Sequence, residues 1–285
     1  MTTTTLRLPP RLERLPQLRR IVRGGLAARG SVGAGLAAKA GGAAGNGLLN
    51  SLIAYWPLNE AAGANNALDL HTNGLALTQV SSPGADTGKV YATARTFDGS
   101  ADYFTRNSEA LLQTGDVDFT LAAWVYSTQN PGENVNQDIC TKYFSSSIEY
   151  GLRKIKLSGI TSFRFFVSAT ASASTNYDLV TTAEATTLNT WLFIAAWHDA
   201  ANNLVGIQIN SNTPTTASYS SGVYAGDSAF RMAYSAIGGS RYFPGRLGPV
   251  AMWKSAAGAG GVLSSAQRLA LYNSGAGLAY SAFTT

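Results

Sequence analysis

Residues Thr190 to Asn210, TWLFIAAWHDAANNLVGIQIN, read as two strands joined by a polar turn. In the first half Trp191, Phe193, Ala195 and Trp197 alternate with Leu192, Ile194 and Ala196, which is the two-residue period of a strand. Both alternating sets are apolar, so both faces of that strand are expected to be covered, as in stacked sheets. HDAANN then supplies a longer turn, with His198 placed in it, and LVGIQIN returns as the second strand of a hairpin.

The same texture extends in both directions. In VDFTLAAWVY, Val117, Phe119, Leu121, Ala123 and Val125 point one way, with Trp124 and Tyr126 opposite. Further strands are expected at ARTF, DICTKYF, FRFFVS, FRMAYSAIG and GRLGPVAMW, the last with Pro249 marking a bulge or an edge. Helix is scarce, the exception being LSSAQRLALYNSG, where Ser264 and Gln267 form a capping box and Gly275 supplies the stop. A dozen or so short strands separated by Gly, Asn, Asp, Ser and Thr predict an all-β fold, an antiparallel two-sheet jelly-roll sandwich with one short C-terminal helix. Trp56, Trp124, Trp191, Trp197 and Trp253 are read as core residues.

Composition agrees. The 285 residues are 45% hydrophobic and 13% charged, enough apolar material for a real core. Cys140 is the single cysteine, which rules out an internal disulfide and a cysteine-based zinc cluster and suits a reducing compartment. Charge divides the chain. Up to Asn46 there are eight basic residues against Glu13 alone, whereas the whole chain carries only +5, so the remainder is close to neutral. Residues 1–47 therefore read as a basic, Gly/Ala-rich arm and 48–285 as the folded domain. Within the arm Pro9, Pro10 and Pro16 forbid a continuous helix, leaving a short one from Pro16 to Arg23 before Gly24 and Gly25. Arg and Gly interrupt every apolar run, so neither a secretory signal nor a transmembrane helix is expected. A mitochondrial presequence and a plain solvated linker share the arm's composition. An arm studded with Arg7, Arg11, Arg14, Arg19, Arg20 and Arg23 suits anchoring on other subunits of an assembly; nucleic acid is not favoured, because aromatic interleaving is absent.

LIAYWPLNEAAGANNALDLHTNGLALT, ARTFDGSADYF, DFTLAAWVY, TWLFIAAWHDAANNLVGIQIN and IGGSRYFPGRLGPVAMWKSAAGAGGVLSSAQRLALYNSG together resemble, in order and spacing, the successive blocks of the laminin-G-like, concanavalin A-like lectin/glucanase jelly-roll family. The resemblance covers roughly Leu49 to Gly277. It implies that LIAYW is the first strand, with Trp56 and Leu58 in the core. It also implies a calcium ion at the sandwich edge, for which LDLHTNG offers Asp69 and Asn73, although Gly248 and Pro249 stand where the family carries two acids.

Glycan-cleaving relatives of this fold use paired carboxylates. The nearest pair here, Asp116 and Asp118, stands at a strand entry, and His71 and His198 sit apart in polar turns without a nucleophile beside them, so no enzyme is expected. For ligand binding the candidates are Arg241, Tyr242 and Phe243 in SRYFPGR, together with Tyr219 and Tyr224 on a Ser/Gly-rich loop. The reading that joins arm and domain is a non-enzymatic structural protein of a bacteriophage virion: a capsid decoration, collar, fibre or tail-associated protein. It would be made in the host cytoplasm, multimeric in its particle, bound to other virion proteins through the arm, without contact to a membrane, and able to display a lectin-like domain to host or environmental glycans. The alternative is a free or cell-surface bacterial carbohydrate-binding lectin.

Overall fold

The computed structural model describes residues 45–63, 66–144, 147–173, 176–236 and 241–285. The arm arginines Arg7, Arg11, Arg14, Arg19, Arg20 and Arg23, and the helix expected at Pro16 to Arg23, lie outside the described residues. Among the described residues no helix is long and apolar enough to cross a membrane.

The chain forms β1 (Leu52–Trp56), β2 (Thr78–Val80), β3 (Gly84–Thr87), β4 (Thr93–Asp98), β5 (Tyr103–Arg106), β6 (Asp118–Ser127) and β7 (Asn136–Phe144). It continues through β8 (Ser147–Leu157), β9 (Ile160–Ser168), β10 (Asn176–Thr181), β11 (Trp191–Asp199), β12 (Leu204–Ile209), β13 (Thr215–Ser218) and β14 (Phe230–Met232). The last strand is β15 (Pro244–Ser255), followed by helix α1 (Ser265–Tyr272). Two antiparallel sheets result. One has the order β13-β12-β11-β6-β15-β4-β3 with β1 also paired to β15, and the other the order β10-β9-β8-β7-β14-β5-β2. This is the all-β, antiparallel two-sheet sandwich expected from the alternation.

The predicted faces hold. Phe119, Leu121, Ala123 and Val125 of β6, with Leu192, Ile194 and Ala196 of β11, join Tyr150, Leu152, Phe163 and Phe165 of the opposite sheet in the central core. The other face of β6 and β11 carries Ala122, Trp124, Phe193 and Ala195 into a second core, closed by Leu48, Leu263, Leu271 and Phe283. The C-terminal segment thus covers what would otherwise be a bare aromatic face. Trp56 and Trp253 are fully buried, and each indole N–H finds a carbonyl: Leu75 O at 2.6 Å and Leu48 O at 2.8 Å. Trp191 is only half-buried.

Pro249 marks a bulge. The register of β15 against β6 shifts between Leu247 and Val250, where β15 also changes neighbour on its other side from β4 to β1. Proline's missing donor is tolerated there because ladder pairing is already interrupted. Ser264 caps α1 with the reciprocal Gln267 bond, worth about 1 kcal/mol. The stop is Asn273 in the left-handed conformation, just ahead of Gly275. Asn46 ties the start of the fold to its end: its N–H donates to Thr284 Oγ1 at 2.6 Å and its side-chain amide to Ala282 O at 2.8 Å.

His198 is not a turn residue. It lies in β11, 1% exposed, with Nδ1 2.9 Å from Val117 O and Nε2 3.8 Å from the Asp116 carboxylate. The turn begins beyond it, because the pairing of β11 with β12 runs on to Asp199 and Leu204.

Candidate functional site on the seven-stranded sheet

Strand alternation builds this site. On β5 Phe104 faces the core, so Tyr103 and Thr105 face outward; on β14 Phe230 and Met232 face the core, so Arg231 faces outward. Arg231 stands in register with Thr105 on one side and Thr141 on the other. The row continues through Gly151 of β8 to Phe166 of β9. A Cβ at Gly151 would press on the Phe166 ring, so glycine lets that ring lie close to the sheet.

After β14 the chain lies along β7. Tyr234 O accepts from Thr141 Oγ1 at 3.2 Å, and Arg241 O accepts from Asp138 N at 3.1 Å. This brings Tyr234 and Tyr242 over the sheet. Their rings stack, centroids 4.4 Å apart and 21° between planes, and Tyr103 lies 4.6 Å from Tyr234 and 6.3 Å from Tyr242. All three are only partly buried. Burial first, then the Tyr234 and Tyr103 phenols, push the Tyr242 hydroxyl above its ordinary pKa. A depression of about 300 Å³ borders Tyr242, lined also by Asp98, Gln129, Val135 and Gln137.

A second aromatic pair, buried beneath two guanidiniums, lies on the same face. Tyr143 and Phe166 sit 5.3 Å apart, with the Arg241 guanidinium 5.5 Å over Tyr143 and that of Arg153 4.4 Å over Phe166. Arg153 and Arg164 both bind Asp178, at 2.7 and 3.2 Å. Asp138 is fully buried and accepts from the Ser235 hydroxyl; burial raises its carboxyl pKa against the pull of Arg153, Ser235 and Arg241. Buried polar atoms with no partner gather here: Arg231 Nη1, Arg241 Nη1, Asp138 Oδ1 and Gln137 Oε1. Native interiors leave few such atoms, and a group of them beside open aromatic rings suits a polar ligand.

The expected site residues divide. Arg241 and Tyr242 are on this face. Phe243 is not: its side chain is 0% exposed in the central core, because consecutive residues of an extended segment face opposite ways. Tyr219 is also removed from any surface role, buried with its hydroxyl donating to Gly222 O at 2.8 Å and its ring against Tyr177. Tyr224 remains half-exposed but lies with Ser168, at the opposite end of β7 to β9 from Asp138 and Arg241. Tyr103, Arg231 and Tyr234 were missed, although the alternation in YFTR and FRM already turned Tyr103 and Arg231 away from the core.

The Asp69 loop does not fit calcium. Asp69 Oδ1 accepts from Tyr55 N and His71 N, both at 2.9 Å, Oδ2 accepts from Leu75 N at 2.8 Å, and the Asn73 amide donates to Ile53 O at 2.9 Å. A hard cation needs several oxygens, and three of the roughly four acceptor positions of this carboxylate are taken by the N–H groups of Tyr55, His71 and Leu75. Among the described residues no three His, Cys, Asp or Glu side chains converge. Asp118 likewise clamps loops, accepting from Ala200 N and Gly258 N at 2.9 and 2.7 Å, while Asp116 is exposed.

The family profile described as concanavalin A-like lectin/glucanases superfamily matches residues 98–262. The chain belongs to that superfamily. No curated protein matches the sequence. Among solved structures, domain 4 of the extracellular arabinanase AbnA from Geobacillus stearothermophilus, in complex with arabinotriose, superposes with a TM-score of 0.57 at 15% identity, covering 77% of this chain and 97% of that one. The binding domain of Paraclostridial Mosquitocidal Protein 1 gives 0.57 at 13% identity, and that of botulinum neurotoxin serotype D/C 0.56 at 12%. Each toxin match covers 79% of this chain and 52% of the toxin domain, so the superfamily member spans about half of those domains. At these identities the likeness is one of fold.

Proposed function

We propose that the chain is a non-enzymatic, glycan-binding domain carried by a structural protein of a phage virion, with residues 1–47 as its anchor. One observation carries the binding half: the solvent-open Tyr103, Tyr234 and Tyr242 cluster, set beside buried N–H groups that lack partners. Sugars present apolar ring faces and many hydroxyls, and a site for them combines aromatic faces with a few fixed polar groups. Superfamily membership and the arabinotriose held by the arabinanase domain support the same reading. The virion half is supported by the concentration of Arg in a Gly/Ala-rich leader ahead of a nearly neutral domain.

Three experiments test it. Full-length protein on a glycan array gives hits that Tyr242→Ala weakens at least tenfold without lowering Tm; an array with no hits refutes the binding half. Deleting Met1 to Gly45 leaves a folded domain that no longer enters particles; unchanged incorporation refutes the anchor. Incubation with the bound polysaccharide releases no shorter products.

A further inference from the structure

The charge on this face narrows the ligand. Four guanidiniums, Arg153, Arg164, Arg231 and Arg241, share it with the carboxylates of Asp138 and Asp178, and a third, Asp98, lines the depression beside Tyr242 with its oxygens accepting from Ser100, Ala101 and Asp102. Asp178 is taken by Arg153 and Arg164. Asp138 is hydrogen-bonded by Ser235 and lies in the field of Arg153 and Arg241. Among the described residues neither Arg231 nor Arg241 forms an ion pair, and each has its Nη1 buried without an acceptor; Arg241 lies in the field of Asp138, whereas the cross-strand neighbours of Arg231, Thr105 and Thr141, are uncharged. Thr105, the partner of Arg231 on β5, is two residues from Tyr103 on the same face, and Thr141, its partner on β7, donates to Tyr234 O at 3.2 Å, so Arg231 stands beside the aromatic cluster. A buried guanidinium N–H without an acceptor is costly to leave so, and an oxyanion is the acceptor it pairs with best.

We infer that the saccharide taken by this face is acidic, with its carboxylate or sulfate held by Arg231 while a sugar ring lies on Tyr234 and Tyr242. The inference rests on the glycan reading above. A neutral sugar would leave the Arg231 charge half-desolvated and unanswered. An acidic one answers it and gains a charge-assisted hydrogen bond, a preference of at least about tenfold.

The test is calorimetric titration of the full chain with three oligosaccharides of equal length: an oligouronate, a sulfated oligosaccharide and a neutral one, at low and high salt. An acidic ligand is expected to bind at least tenfold more tightly than the neutral one, with that margin narrowing as salt rises. Whichever acidic arm binds identifies the oxyanion. Arg231→Gln is expected to erase the margin while neutral binding persists, Arg231→Lys to restore part of it, and Tyr242→Ala to weaken every ligand. Equal wild-type binding of acidic and neutral ligands overturns the acidic inference and leaves the glycan reading standing. A margin that survives in Arg231→Gln, shown folded by its Tm, overturns it in the same way. Failure of all three ligands to bind overturns both.

Discussion

Replacing Lys142 by Met should cut the stability of this domain more than almost any other conservative substitution. Lys142 Nζ lies 2.9 Å from Glu149 Oε1 with both side chains 0% exposed, and it also donates to Ser228 O at 2.7 Å. Glu149 Oε2 accepts from Thr114 N at 3.1 Å. Burial holds the Glu149 carboxyl above the ordinary range, against the pull of Lys142 and the N–H groups of Thr114 and Gly226. Removing the lysine leaves a carboxylate in the interior without its cation, which costs about 3–5 kcal/mol. In a domain of this size that is a fall in Tm of roughly 6–20 °C. The sign with pH follows. A carboxyl whose folded pKa is raised contributes stability that is present below its unfolded value, 4.5, and is lost as pH rises through the folded one. The deficit of Lys142→Met is therefore largest near neutrality and shrinks on acidification. Lys142→Met with Glu149→Gln, which keeps an acceptor for Thr114 and removes the charge, should recover most of the loss. Denaturant melts of wild type, single and double variants at pH 7 and pH 5 measure all of this. A single variant within about 1 kcal/mol of wild type, or a double variant no better than the single, would show that the pair is not the electrostatic unit described.

Other substitutions probe separate links. Gly206→Ala places a Cβ on the Trp197 ring directly across β11 and β12, and overpacking there should cost about 1–3 kcal/mol in a thermal melt. Burial works against ionisation of Asp98, but the Ser100 hydroxyl and the N–H groups of Ala101, Ser100 and Asp102 hold its carboxyl well below the ordinary range. A depressed carboxyl contributes stability above its unfolded value, 3.8, that is lost as pH falls, so Asp98→Asn should flatten the acid limb of the stability profile. Because three backbone donors hold the Asp69 oxygens, calcium and chelator should leave Tm unchanged, and a calcium-dependent rise would show that the loop gives up those bonds to a cation.

What could be read from the sequence depended on how each residue's environment is made. The alternation in β6 and β11 is local, so both faces were legible before any coordinates. The capping box was legible for the same reason. Strand β8, SIEYGLRKIKL, was not: its Glu149, Arg153 and Lys154 look solvated, yet all are buried, Glu149 by pairing with Lys142 and Lys154 by lying 5.8 Å over Phe163. Burial of Lys154 without such a carboxylate pushes its amine down to about 8. FRMAYSAIG reads as one strand, but pairing ends at Met232; Ala233 still bonds Ile139 O, and Tyr234 lifts away over the sheet. The last two residues of that stretch lie outside the described residues. In SRYFPGR parity decides that Tyr242, not Phe243, lies in the outward aromatic cluster. The partners of Tyr242 come from Tyr103 and Tyr234, and strand register between distant segments is what joins them.

The eight-stranded sheet has its last-made strand in the middle. β15 lies between β6 on one side and β4 and β1 on the other, so the halves of that sheet have nothing to join them until residues 244–255 exist. A ribosome making this protein holds an incomplete sheet, with unpaired edges and an uncovered aromatic face, through most of translation. Closure of that sheet therefore waits for residues 244–255, a long-range pairing of the kind that slows folding.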